Sequence, residues 1–119
     1  MGDHRTLDAW KEAYAVALGV TIASRDHWKP WASAMFFQAN RAALSVQLNI
    51  AEGWTFSRSP TATRHLAIAY GSAKETADIL QLMAETDAVP ASQIQELQQR
   101  SSRCIRLIVG LLKTRRPLQ

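Results

Sequence analysis

The segment that most constrains this chain is Gln38 to Gly53, QANRAALSVQLNIAEG. It holds no proline, and its apolar residues recur at helical spacing, so it predicts a helix. At about 100° per residue, Gln38, Arg41, Ser45, Asn49 and Glu52 fall within about 80° of one another. Ala39, Ala43, Val46 and Ile50 line one flank of that polar seam, and Phe37, Leu44, Leu48 and Ala51 line the other. A helix that is apolar on two sides calls for more than one packed neighbour. A buried seam needs partners too, because an unpaired buried polar group costs about 1–3 kcal/mol. Arg41 is therefore expected to be largely buried and paired with Glu52 or Glu75.

Three further helices can be read around this one. The first runs from Leu7 to Ser24, with Asp8 and Glu12 suited to its opening turn. Pro30 fits the first turn of the second, which continues to Glu52 and stops at Gly53. Ser59-Pro60 supplies a cap and a first-turn proline for the third, which runs to Thr86. Pro90 opens the last, which reaches Lys113. No strand pattern, glycine-rich loop or internal repeat interrupts this order. Four helices joined by short connections predict an all-α, antiparallel up-down four-helix bundle spanning residues 1–119 as a single domain.

The third helix repeats the two-sided pattern. Leu66, Ala69, Ala73, Ala77 and Leu80 form one side; Ile68, Ser72, Ile79 and Met83 form the other, with Glu75 among them. One apolar stripe per helix suffices for a monomeric bundle. Two helices with two such faces predict a homo-oligomer in which the second face meets another subunit. Gly71-Ser72, mid-helix with no preceding strand, reads as a close helix crossing rather than a phosphate cradle.

The resemblance of this chain rests on three stretches: Leu7, Trp10, Lys11 and Ala13; Gln38, Arg41, Ala42, Ala43, Ser45 and Asn49 to Gly53; and Leu66, Ile68, Ala69, Gly71, Ser72 and Glu75. In this order and spacing they resemble the bacterial four-helix-bundle proteins encoded by intervening sequences of large-subunit ribosomal RNA genes. The chain departs from that pattern at Trp28-Lys29-Pro30, where a Phe-Pro is usual, and at His65, where Phe is usual. Its last helix carries no family motif. The resemblance implies a closed ring of five subunits, which heterologous contacts can form. It also implies kinship with the accessory variability proteins of diversity-generating retroelements, and hence nucleic acid and a reverse transcriptase as partners. Met1-Gly2 with Thr6 matches a short myristoylation pattern, which a bacterial setting disfavours.

Charge is the feature most directed toward a partner. The net charge is +4, but Glu96 is the last acidic residue. The six basic residues after it, Arg100, Arg103, Arg106, Lys113, Arg115 and Arg116, give the tail +6, leaving −2 for the first 96 residues. Ile94, Leu97, Ser101, Cys104, Ile108 and Leu111 mark the core side of the last helix, which puts Arg100, Arg103, Arg106 and Lys113 on the far side. A solvated face normally mixes both signs, whereas this one is basic and rich in arginine, which suits bidentate phosphate contact. Trp54 and Phe56 with Arg58 offer either a stacking surface for bases or a plug over the bundle end. Trp28 and Trp31 are expected to close the other end, and Trp10 to pack in the core with Tyr14.

Other chemistries find little support. The three histidines, His4, His27 and His65, lie far apart with no cysteine or acid at ligand spacing, so no metal or cofactor is expected. Glu52 and Glu75 lack the Glu-x-x-His partners of di-iron bundles. No nucleophile motif argues for an enzyme. Cys104 is the sole cysteine, which excludes an intrachain disulfide and fits a reducing, cytoplasmic compartment. No apolar run approaches a membrane span and no signal peptide is seen. The leading expectation is a non-enzymatic oligomeric binder of RNA or DNA. The alternative is a protein-interaction scaffold whose arginines only solubilise.

Overall fold

A computed structural model describes residues 3–56 and 59–114. After a 3-10 turn at His4–Thr6 come α1 (Asp8–His27), a second 3-10 turn at Pro30–Ala32, α2 (Ser33–Thr55), α3 (Pro60–Glu85) and α4 (Ala91–Thr114). Each helix packs on its neighbours in chain order and α1 closes on α4, giving a four-helix bundle 49 Å long and about 20 Å across. No strand occurs among the described residues.

The helix ends follow from local chemistry. Ser59 accepts a hydrogen bond from the Ala62 amide, with Pro60 in the first turn of α3, as the cap residues predict. α3 ends where Asp87 takes a left-handed conformation (φ 58°). The Ala88 amide then donates to the Met83 carbonyl and the Asp87 amide to that of Ala84, satisfying the last carbonyls of the helix.

Gly53 does not end α2; the helix runs on to Thr55, and no described glycine has a positive φ. Its role is close approach. A Cβ at Gly53 would lie 2.9 Å from Leu66 Cγ and 3.3 Å from the Ala62 carbonyl oxygen. Gly71 is the reverse case, since a Cβ there would meet nothing within 4 Å. The crossing expected at Gly71-Ser72 is made by Ser72 alone, whose hydroxyl lies 2.8 Å from that of Ser45. Gly53→Val is thus expected to destabilise the protein by about 1–3 kcal/mol through overpacking. Gly71→Ala should stabilise it by about 0.5–1 kcal/mol by restricting the unfolded chain. Urea denaturation of both variants tests the pair.

The core has two lobes. Phe36, Val16, Val20, Leu80, Met83, Val89 and Ile94 fill the end nearest the α1–α2 and α3–α4 connections. Val46, Ile50, Cys104 and Ile108, among alanines of α1 and α3, fill the other. Between them a layer of mostly small side chains, with the Thr76 and Ser101 hydroxyls, encloses a cavity of about 10 Å³, room for one water at most.

The polar seam of α2 divides. Ser45 and Asn49 enter the α2–α3 contact: Asn49 Nδ2 donates to the Ser45 carbonyl (2.9 Å), and Asn49 Oδ1 lies 2.9 Å from His65 Nδ1. Gln38, Arg41 and Glu52 on α2, and Glu75 on α3, are exposed in the single chain. Arg41 is not buried, and its guanidinium lies over the Phe37 ring (5.8 Å) instead of pairing with Glu52 or Glu75. The seam follows the rim of the helix contact, where short side chains fold inward and long ones reach solvent.

Candidate nucleic-acid interface

α4 carries its apolar residues as expected. Ile94, Leu97, Ser101, Cys104 and Ile108 are buried, while Leu111 is half-buried at the end. Arg103, Arg106 and Lys113 are exposed on the opposite face, and Arg100 is half-buried at the edge beside α1. Arg115, Arg116 and Arg58 lie outside the described residues.

This face is not of one sign in three dimensions. Glu12, from the second turn of α1, lies beneath it with only 10% of its side chain exposed. Its Oε1 accepts from Arg103 Nη1 at 3.0 Å and from Arg100 Nη1 at 3.4 Å. Arg100 Nε also reaches Glu96 Oε1 at 3.4 Å, one helical turn away. Arg106 has no acidic contact among the described residues, and its Nη1 donates to Ser102 Oγ at 3.3 Å. Two of the expected arginines are thus fastened to α1, while Arg106 and Lys113 extend from the helix toward solvent. The Arg100–Arg103–Glu12 group surrounds a shallow concavity that Glu96 and Gln99 also line. Nothing in the sequence pairs Glu12 with residues 88 and 91 positions later. By its position alone it is an ordinary acid near the start of a helix, and α1 begins at Asp8, which leaves Asp8 as its first-turn acid.

Cys104 lies behind this face, with its Sγ donating to the Ala9 carbonyl (3.6 Å). Burial, and secondarily the charge of Glu12, push its thiol up to about 12 from an ordinary 9.0. It is an inert core residue, not a nucleophile. Between those values the unfolded chain releases a proton that the folded chain keeps, so stability falls as pH rises through this window. From about pH 8 to about pH 10.5 the loss owed to this group is about 2 kcal/mol. Cys104→Ala should lack that component, which thermal melts of the two proteins at both pH values can measure.

The aromatic clusters fall differently from expectation. Trp28 and Trp31 do not close the bundle end; both are exposed, Trp31 at 60%. The corner is tied instead by Lys29, whose Nζ donates to the Ala88 carbonyl at 2.6 Å and lies 5.4 Å from the Trp31 ring. Trp54 is half-buried, and Phe56 stacks on His65 with ring centroids 6.0 Å apart and nearly parallel planes. Trp10 stacks on Tyr14 (5.1 Å) but is only partly buried.

A second surface emerges on the adjoining helices α1 and α2. Tyr14, Leu18 and Ile22 on α1 and Phe37, Leu44 and Leu48 on α2 are all exposed large apolar residues, Phe37 at 62%. The extra apolar face expected on α2 and α3 is therefore carried mainly by α1 and α2; α3 adds Ile68 and Leu82. Tyr14, Leu18 and Ile22 stand four residues apart, a signal legible in the sequence but eclipsed by the stronger alternation of α2 and α3.

Among the described residues no three His, Cys, Asp or Glu side chains come together as a metal ion would need, and no helix is long and apolar enough to cross a membrane. A comparison with curated proteins finds no match. A family model does match, that of the 23S rRNA-intervening sequence protein, over residues 5–110. The match takes in all of α1, α2 and α3 and most of α4, and with it the chain belongs to the family of 23S rRNA-intervening sequence proteins.

Proposed function

We propose that this chain is a non-enzymatic binding protein that works as a homo-oligomer and presents the basic face of α4 to RNA or DNA. The observation that carries the reading is the row Arg103, Arg106 and Lys113, exposed along one side of α4 where Glu12 and Glu96 are the nearby acids. The family's description ties its members to a ribosomal RNA sequence element, which makes RNA the first ligand to test. Self-association is supported by the number of large apolar side chains left exposed on α1 and α2, Tyr14, Leu18, Ile22, Phe37, Leu44 and Leu48, more than a lone subunit gains from showing to water. A ring of five and a reverse-transcriptase partner follow from the family resemblance. Within a ring each subunit would repeat the basic face, so weak single contacts would add as avidity.

Titration of labelled single- and double-stranded RNA and DNA across a salt series tests this. Arg106→Gln/Lys113→Gln leaves Glu12 and its two arginines untouched, so it should fold normally. It should weaken binding and reduce the salt slope by about 0.7–0.9 for each phosphate that the variant no longer engages. No binding by the parent protein at low salt would move the case to a protein-interaction scaffold, for which the apolar face of α1 and α2 is the specific support. Light scattering should give a mass several times 13.3 kDa.

A further inference from the structure

We propose that Glu12 is a positioning residue that holds the Arg100 and Arg103 guanidiniums together as a two-armed clamp for one phosphate of a nucleic-acid backbone. The inference rests on the nucleic-acid reading above and names the part of α4 that makes the contact.

Its basis is a contrast in burial within one group of three side chains. The Glu12 side chain is 10% exposed, while those of Arg100 and Arg103 are 42% and 50% exposed. The acid is therefore seated in the α1–α4 contact, and the two cations stand over it with open outer edges. Both Nη1 atoms converge on the same Oε1, which brings the two guanidiniums side by side. Like charges would otherwise turn two flexible side chains apart. Glu12 beneath them permits the approach, and Glu96, 3.4 Å from Arg100 Nε, balances the second charge, so what the group presents to solvent is a set of fixed N–H donors. Each guanidinium has five N–H donors, and the contacts to Glu12 and Glu96 use only part of them. The rest can donate to a tetrahedral oxyanion, which the arginine fork fits in a bidentate manner. The shallow concavity lined by Glu12, Glu96, Gln99, Arg100 and Arg103 is where such a group would sit. Arginines fixed before binding lose less rotamer freedom when the ligand arrives.

Positioning and simple electrostatics give opposite signs for one substitution. Glu12→Gln removes a negative charge from beneath the basic face. If the face attracts polyanions only by net charge, affinity should rise. If Glu12 positions the clamp, affinity should fall about tenfold, the value of a charge-assisted hydrogen bond, and the salt slope should fall by about 0.7 for one single-strand phosphate. A labelled single-stranded RNA of mixed sequence, titrated by anisotropy at several salt concentrations with parallel thermal melts, reads both quantities. Arg103→Lys is the second variant, keeping the charge and losing the planar fork, and it should weaken binding to a similar degree. Tighter or unchanged binding by Glu12→Gln overturns the proposal, and so does unchanged binding by Arg103→Lys should Glu12→Gln fail to fold. Absence of binding by the parent protein is a different result and overturns the nucleic-acid reading itself.

Discussion

Phe36→Ala is expected to lower the unfolding free energy by about 3–5 kcal/mol. The same change one residue later, Phe37→Ala, should alter the single chain by no more than about 0.5 kcal/mol. Phe36 is fully buried and packs in the lobe where α1, α2, α3 and the α3–α4 turn meet. Removing its ring leaves a cavity that the surrounding alanines, Ala32, Ala39 and Ala43, are too short to fill. For a domain whose whole stability is about 5–15 kcal/mol, that is a large share. Phe37 points the other way, mostly exposed beside Arg41. Its contribution belongs to assembly, so any loss in Phe37→Ala should grow with protein concentration, whereas the loss in Phe36→Ala should not. Urea denaturation at two concentrations, with light scattering on each variant, separates them. Equal losses at both concentrations for Phe37→Ala would mean that the exposed apolar face is no subunit contact.

The second large effect concerns the carboxylate under the basic face. Arg100→Met/Arg103→Met keeps the packing stems and removes both partners of Glu12. Stripping the partner from a fully buried charge typically costs about 3–5 kcal/mol. Because both arginines are half-exposed, water can replace part of their contact, and about 2–3 kcal/mol is the expected loss. Adding Glu12→Leu should recover most of it, since the triple variant no longer buries a charge. Urea midpoints across the four proteins of this cycle measure the coupling. A double variant as stable as the parent would show that Glu12 is hydrated. The arrangement also changes the reading of α4: Arg100 and Arg103 cannot be replaced as inert surface residues, and Arg106 and Lys113 are the clean probes of phosphate contact.

Much of the architecture was legible from local pattern. Apolar spacing located four helices, and Ser59-Pro60 and Pro90 marked two of their starts, because caps and periodicity are properties of a few adjacent residues. The core side of α4 followed from the same spacing, with Ile94, Leu97, Ser101, Cys104 and Ile108 all buried. Gly53 misled because glycine has two uses, ending a helix with a positive φ or admitting a neighbour, and only the position of Leu66 decides between them. Trp28 and Trp31 misled for a similar reason. Large aromatic rings beside a proline suggest a plug, yet Lys29 reaches the Ala88 carbonyl and makes the corner contact instead.

What the sequence by itself determined, then, is the number of helices, their order and a core-facing side of α2, α3 and α4, all set by interactions within about two helical turns. What only the tertiary structure decided is which polar groups meet. A helical wheel gives the direction of a side chain but not the distance to the next helix. It placed Arg41 in a seam without showing that the seam runs along an open rim. It placed Arg100 and Arg103 on a basic face without showing that Glu12, from the far end of the chain, would stand beneath them. Those pairings depend on how α1 is seated against α4, a seating fixed by the close fit of the whole core, with Leu97 packed against Gly19 at the same contact.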